Sequence, residues 1–226
     1  MTIGIFTAME KEAQSFLKGS DYTHTTCGAF NIYRFELAGH DAVLCCPPSV
    51  GEIAGAAACQ LLISKFKADV ILNFGVVGAL TEQSSLLSTV LVKSVVHYDM
   101  DTTQIDKGVT VGRYGCFDDV AVECDKTLID SALSVVDLPV VTCASADKFV
   151  SDAHQKTALN QKFGAEICDM ESAGVLFACK FNNVPCLLVK CISDSLFGGS
   201  GEYEQNSVKA AEGFMSLASA ICVKLQ

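Results

Sequence analysis

Residues 69–80 read DVILNFGVVGAL, and this stretch decides the fold. Its first seven residues, DVILNFG, form an apolar run bounded by Asp69 and Gly75. A short continuous run of that kind suits a strand covered on both faces, as parallel strands are. Immediately before it, EIAGAAACQLLISKF (52–66) is an alanine-rich helical pattern, and HDAVLCC (40–46) is a strand paired with FNIYRFEL (30–37) across a hairpin turn at Ala38-Gly39. The chain opens with TIGIFTA (2–8), which passes directly into a helix with Ala13, Phe16 and Leu17 on its apolar side and Gly19 at its end. Beyond residue 80 the alternation continues. Strands are expected at 89–98, 138–146, 165–170 and 184–194, and helices at 125–136, 152–164, 171–181 and from about 207 to 224. Regular strand-helix alternation predicts an α/β protein of one domain, residues 1–226: a three-layer sandwich with a central mixed, largely parallel twisted sheet flanked by helices. Residues 99–124 are the least regular part and carry the acidic pairs Asp99/Asp101 and Asp118/Asp119, which suit a solvated surface or a loop near an opening.

Composition narrows the function. With 50% apolar residues, the 226-residue chain has ample material for a core. Sixteen Lys+Arg against 26 Asp+Glu give a formal charge of −10, and only Arg34 and Arg113 are arginines, so no nucleic-acid partner is expected. No apolar run reaches the length needed to span a bilayer, and no membrane association is expected. MTIGIFTAMEKE has no basic region before its apolar stretch, so a cytoplasmic, reducing location is expected. The 12 cysteines are then free thiols, and Cys59, Cys179 and Cys222 fall in apolar helical patterns where cysteine acts as a small hydrophobe. No C-x-x-C occurs, and His24, His40, His97 and His154 stand apart from paired cysteines; no metal is expected.

In open α/β sheets, ligands bind beyond the carboxyl ends of strands, which directs attention to the polar residues that follow each apolar run. Three places stand out: Glu10 and Glu12 after the first strand, Asp169 and Glu171 after 165–168, and Asp194 after 186–193. Each has a plain structural reading. Glu10 and Glu12 complement the dipole of the helix they open, a contribution of about 0.3 to 1 kcal/mol each. Asp169 and Glu171 introduce a helix that is apolar nearly all round, where a carboxylate is costly unless paired or used. Asp194, ahead of the glycine-rich FGGSGEYEQN, could cap a helix. The glycines Gly75 and Gly78 make no phosphate-binding fingerprint, GGSGE lacks the last glycine of a nucleophile elbow, and no histidine is spaced to activate a cysteine.

Seven segments, in order, resemble the purine nucleoside phosphorylase superfamily, most closely its 5'-methylthioadenosine/S-adenosylhomocysteine nucleosidase branch: IGIFTAMEKE, PSVGEIAGA, DVILNFGVVGAL, VHYDMD, SADKFV, ICDMESAG and LLVKCISD. The resemblance implies cleavage of the bond between a purine and ribose by water, with no cofactor. It casts Glu12 as the carboxylate that activates the water, Glu171 as the ligand of the ribose hydroxyls, and Asp194 as the acid that protonates the purine. Met170 and Phe149 match positions that pack on ribose and base, the Val150 backbone one that meets the purine edge, and Ala8 and Val50 walls near the sugar. Asp169 and Ser193, neighbours of these residues, complete the expected binding set. Val76 stands where the family commonly has a serine, Lys190 where it has an arginine, and residues 104–107 diverge from the family's aromatic loop over the 5' group. Cleavage builds positive charge on the sugar and negative charge on the base, so carboxylates beside the sugar and an acid beside the base divide the work as in glycoside hydrolysis. Asp194 must then hold a proton, and apolar neighbours such as Ile192 and Leu196 are expected to keep it on. The alternatives are a phosphorylase, which would need cations to hold phosphate, and a catalytically silent nucleoside-binding protein. The resemblance also implies a homodimer.

Overall fold

The computed structural model describes residues 1–225. The chain runs β1 (Thr2–Phe6), α1 (Glu10–Leu17), β2 (Thr23–Cys27), β3 (Phe30–Leu37), β4 (His40–Cys46), α2 (Glu52–Ser64), β5 (Val70–Ala79), β6 (Thr89–His97), β7 (Val122–Glu123), α3 (Lys126–Leu133), β8 (Val140–Ser145), α4 (Ala153–Phe163), β9 (Ile167–Asp169), α5 (Ser172–Asn182), β10 (Cys186–Asp194), α6 (Gly199–Ala210) and α7 (Phe214–Cys222). The α/β alternation is as expected, and β5 and β10 are buried along nearly their whole length, as continuous apolar runs require.

One mixed sheet joins all the strands, in the order β10-β6-β8-β9-β5-β1-β4-β3-β2 with β7 beside β6. An additional parallel pairing of β10 with β5 joins the path to itself, so β5, β10, β6, β8 and β9 form a closed ring. An open sheet was expected. Parallel pairings (β1–β4, β1–β5, β5–β10, β6–β8, β8–β9) and antiparallel ones (β6–β10, β2–β3, β3–β4, β5–β9, β6–β7) are also equal in number, so the sheet is less parallel than the sequence suggested. Closure removes two edges and draws the carboxyl ends of β5 and β10 together with β9.

Two helical groups cover the sheet: α2 packs on α5, and α1 packs on α6 and α7. Gly174 sets the closeness of the first pair, since a Cβ there would lie 2.2 Å from the Glu52 carbonyl oxygen. Side-chain caps fix two helix starts: Asp125 accepts from Leu128 N–H at the head of α3, and Asp152 from Gln155 N–H at the head of α4. Cys59, Cys179 and Cys222 are fully buried, as hydrophobes would be. Residues 99–124 lie over α5, where Tyr114 and Phe117 pack on Phe177; they do not reach the carboxyl ends of β1, β5 and β10. One local expectation is corrected. The terminal helix is two helices broken at Gly213, whose φ of 89° ends regular winding, and the first of them begins already at Gly199. The strand β2, THTTC, is polar and largely exposed, so its composition carries no strand signal. No described helix is long and apolar enough to cross a membrane.

Candidate active site

A cavity of about 330 Å³ opens at the carboxyl ends of β1, β5, β9 and β10. Strand register places its polar residues. Lys190 lies opposite Gly75 and Asp194 opposite Gly78 in the β5–β10 pair, and an irregularity between Ile192 and Asp194 turns the end of β10. On the other side of β5, Gly78 faces Cys168, and Asp169 faces Ser145 of β8. Position 78 takes no larger residue cheaply: a Cβ would stand 2.9 Å from Asp194 Oδ2 and 3.4 Å from Cys168 Sγ.

Glu12, Glu171 and Asp194, drawn from three remote stretches, all line this one cavity, with Ala8, Val50, Val76, Phe149, Asp169, Met170, Lys190 and Ser193. Val150 is the exception. It is 5% exposed and packs in a separate small cluster with Leu80, Ala144 and Cys168. Absent from the sequence reading are Met9, Asn73 and Tyr203. Tyr203 comes from the glycine-rich stretch that forms α6; its ring stands edge-on to Phe149 at 5.3 Å and its hydroxyl reaches Met9 Sδ at 3.2 Å.

The choice between Glu10 and Glu12 is resolved by direction. Glu10 points outward, accepting from Tyr33, Gln14 and Asn31. Glu12 points in, and its carboxylate accepts three backbone N–H groups: Ala8 at 3.1 Å and Met9 at 3.0 Å on Oε2, and Val76 at 3.1 Å on Oε1. Its helix-capping role is therefore real and coexists with its place in the cavity. Burial pushes the Glu12 carboxyl above its ordinary range, with those N–H groups and the Lys190 charge working against the rise. At position 76 the backbone makes the contact, which valine supplies as well as serine would.

Glu171 accepts from Gly51 N–H at 2.8 Å, and burial, then the charge of Asp169, pushes it up to about 7. Asp169 and Lys190 form a buried pair at 2.8 Å. Burial opposes ionisation of both, yet the pairing prevails: the carboxyl lies below its usual range and the ammonium above. Behind Asp169, Ser145 Oγ bridges to Glu52 Oε1 at 2.5 Å, and burial with Asp169's charge pushes Glu52 up to about 8.

Asp194 is where the sequence expectation needs correction. Ile192 and Leu196 are buried beside it in the chain, but the group in contact is Lys156 of α4, whose Nζ lies 2.5 Å from Oδ2. Ser193 Oγ reaches Oδ1 at 3.0 Å. The surroundings are thus not apolar: they include a buried ammonium.

Such an arrangement can take a proton from water at Glu12, hold hydroxyl groups at Glu171 and act on an acid-labile leaving group at Asp194. The family model described as "Phosphorylase superfamily" matches residues 2–224. The chain belongs to the phosphorylase superfamily. Among superfamily members, a 5'-methylthioadenosine/S-adenosylhomocysteine nucleosidase of Maridesulfovibrio salexigens is 31% identical over 225 residues, spanning 93% of this chain and 94% of the relative. An aminodeoxyfutalosine nucleosidase of Campylobacter jejuni is 26% identical over 228 residues, covering 95% and 96%. The crystal structure of a Campylobacter jejuni 5'-methylthioadenosine/S-adenosyl homocysteine nucleosidase superposes with a TM-score of 0.90 at 25% identity, covering 99% of each chain.

Proposed function

We propose that this protein is a hydrolase that cleaves the N-glycosidic bond of a purine nucleoside, 5'-methylthioadenosine or S-adenosylhomocysteine, releasing adenine and a ribose derivative. One observation carries the reading: Glu12, Glu171 and Asp194 border a single cavity. Glu12 takes the proton of the attacking water, Glu171 holds the ribose hydroxyls, and Asp194 gives a proton to the departing base, so each charge that develops is met by a group already in place. Met170 packs on the ribose, Phe149 on the base, and Ala8 and Val50 wall the sugar. Lys190 balances Asp169 between the carboxyls, and Ser193 steadies Asp194. The names of the relatives support this substrate class.

Hydrolysis is favoured over phosphorolysis by the cations. Lys190, which lines the cavity, is already matched to Asp169. Arg34 pairs with Asp41 at the surface, and neither it nor Arg113 lines the cavity. A dianion there would face carboxylates without an unmatched cation among the described residues. Release of adenine from methylthioadenosine, measured with and without phosphate, tests the reading. Phosphate-independent release supports the hydrolase, strict phosphate dependence indicates a phosphorylase, and no release with either indicates a binding protein.

The proposed assembly is a cytoplasmic homodimer. Its support is an apolar face where Ile53 of α2 and Phe181 of α5 are 82% and 61% exposed beside a second hollow of about 480 Å³. The separate helical groups, α2 with α5 and α1 with α6 and α7, support helical layers on opposite faces of the sheet.

A further inference from the structure

Lys156 is fully buried, and it sits in the first turn of α4. Both facts count against it. An ammonium loses its hydration on burial, and a cation at a helix N-terminus meets the positive end of the helix dipole. Its two hydrogen bonds are to Asp194 Oδ2 at 2.5 Å and to the Ser195 carbonyl at 2.7 Å, both just beyond the end of β10. The ammonium does not line the cavity; Asp194 stands between. Ser193 Oγ, at 3.0 Å from Oδ1, holds the other carboxyl oxygen.

We propose that Lys156 is a positioning residue for protonation of the leaving base: it acts through Asp194, and keeps the charge that Asp194 acquires paired with a buried cation. The inference rests on the nucleosidase reading. When the glycosidic bond breaks, its electron pair enters the purine ring, the O–H bond of Asp194 breaks, and an N–H bond forms on the base. The carboxylate left behind faces Lys156, so the pairing seen here is the state that follows proton delivery. Water adds hydroxide to the sugar carbon and its proton to Glu12. Solvent then returns a proton to Asp194 and removes one from Glu12, and the sum is addition of one water across the bond.

A leaving group that departs without a proton separates this role from a structural one. Lys156→Met is compared with wild type at neutral pH on methylthioadenosine and on a nitrophenyl 5-methylthioriboside. A preorganised charge that acts on one step changes kcat more than KM, and the effect of removing one is on the order of tenfold or more. The expected result is a loss of that size in kcat on methylthioadenosine, with KM within about threefold and the nitrophenyl substrate turned over at near wild-type rate. Equal losses on both substrates, no loss, or a gain on methylthioadenosine overturns the proposal. Lys156→Gln, also uncharged, is expected to show the same split. Should the neutral variants fail to fold, the wild-type protein still decides: the ¹⁵N resonance of Lys156 Nζ shifts when adenine binds, and an unmoved resonance overturns the proposal. If wild type releases no adenine, the nucleosidase reading itself has failed; if Asp194→Asn abolishes release while Lys156→Met does not alter it, only the role of Lys156 has.

Discussion

Replacing Glu12 by Gln removes the proton acceptor while keeping the shape, and the structure says what else it costs. The carboxylate accepts two N–H groups on Oε2 and one on Oε1. An amide has one oxygen, so its NH₂ must face either Val76 or the Ala8 and Met9 pair. Turning it toward Val76 sacrifices one bond instead of two and leaves one buried N–H unpaired, at about 1 to 3 kcal/mol. For a chain of this size the lost bond alone corresponds to a fall in Tm of roughly 2 to 12 °C, against which the amide spares the cost of a buried charge. Turnover should fall further, by about 10² to 10⁴, the usual contribution of a general base. Adenine release, followed chromatographically beside a thermal melt, measures both. A variant retaining a tenth of wild-type turnover refutes the assignment of Glu12.

Asp194→Asn is expected to reduce adenine release by about 10²-fold or more; retention of more than about a tenth of wild-type turnover contradicts the role of Asp194. Gly78→Ala would set a Cβ 2.9 Å from Asp194 Oδ2, displacing the carboxyl, and turnover should fall about 10²-fold, the scale of a 1 Å misplacement; unaltered kcat in steady-state assays refutes that geometry. Stability should decline with rising pH. Glu52 and Glu171 are raised from 4.5 to about 8 and about 7, so between about 4.5 and 8 the folded state binds more protons than the unfolded one and loses stability as they leave. Calorimetric Tm values should therefore drop from pH 5 to pH 8, and Glu52→Gln should flatten the slope; a Tm that climbs over that range contradicts the burial argument.

The strands and helices that could be read from sequence are those whose own residues declare them. β5 and β10 are apolar throughout, and α4 opens on an Asp152 cap and stops at Gly164 in the left-handed region. β2 could not be read because its pairing with β3, not its composition, makes it a strand. α6 starts within a Gly-Gly-Ser-Gly run that predicts a loop; its packing on β10 overrides that propensity and carries Tyr203 to the cavity. The same distinction separates the two kinds of site residue. Glu12, Glu171 and Asp194 lie at or just past strand ends, so the rule that ligands sit at carboxyl ends directed attention to them along with Glu10 and Asp169, and the family resemblance singled them out. Lys156 follows none. Its partner is 38 residues away, and the fold brings the one buried residue of α4 against the last residue of β10, which makes a polar position on an otherwise solvated helix into the neighbour of Asp194. Local pattern reports what a residue does for its own element; a buried charge whose cost falls on its helix and whose contact lies on another strand is legible only once the fold is closed.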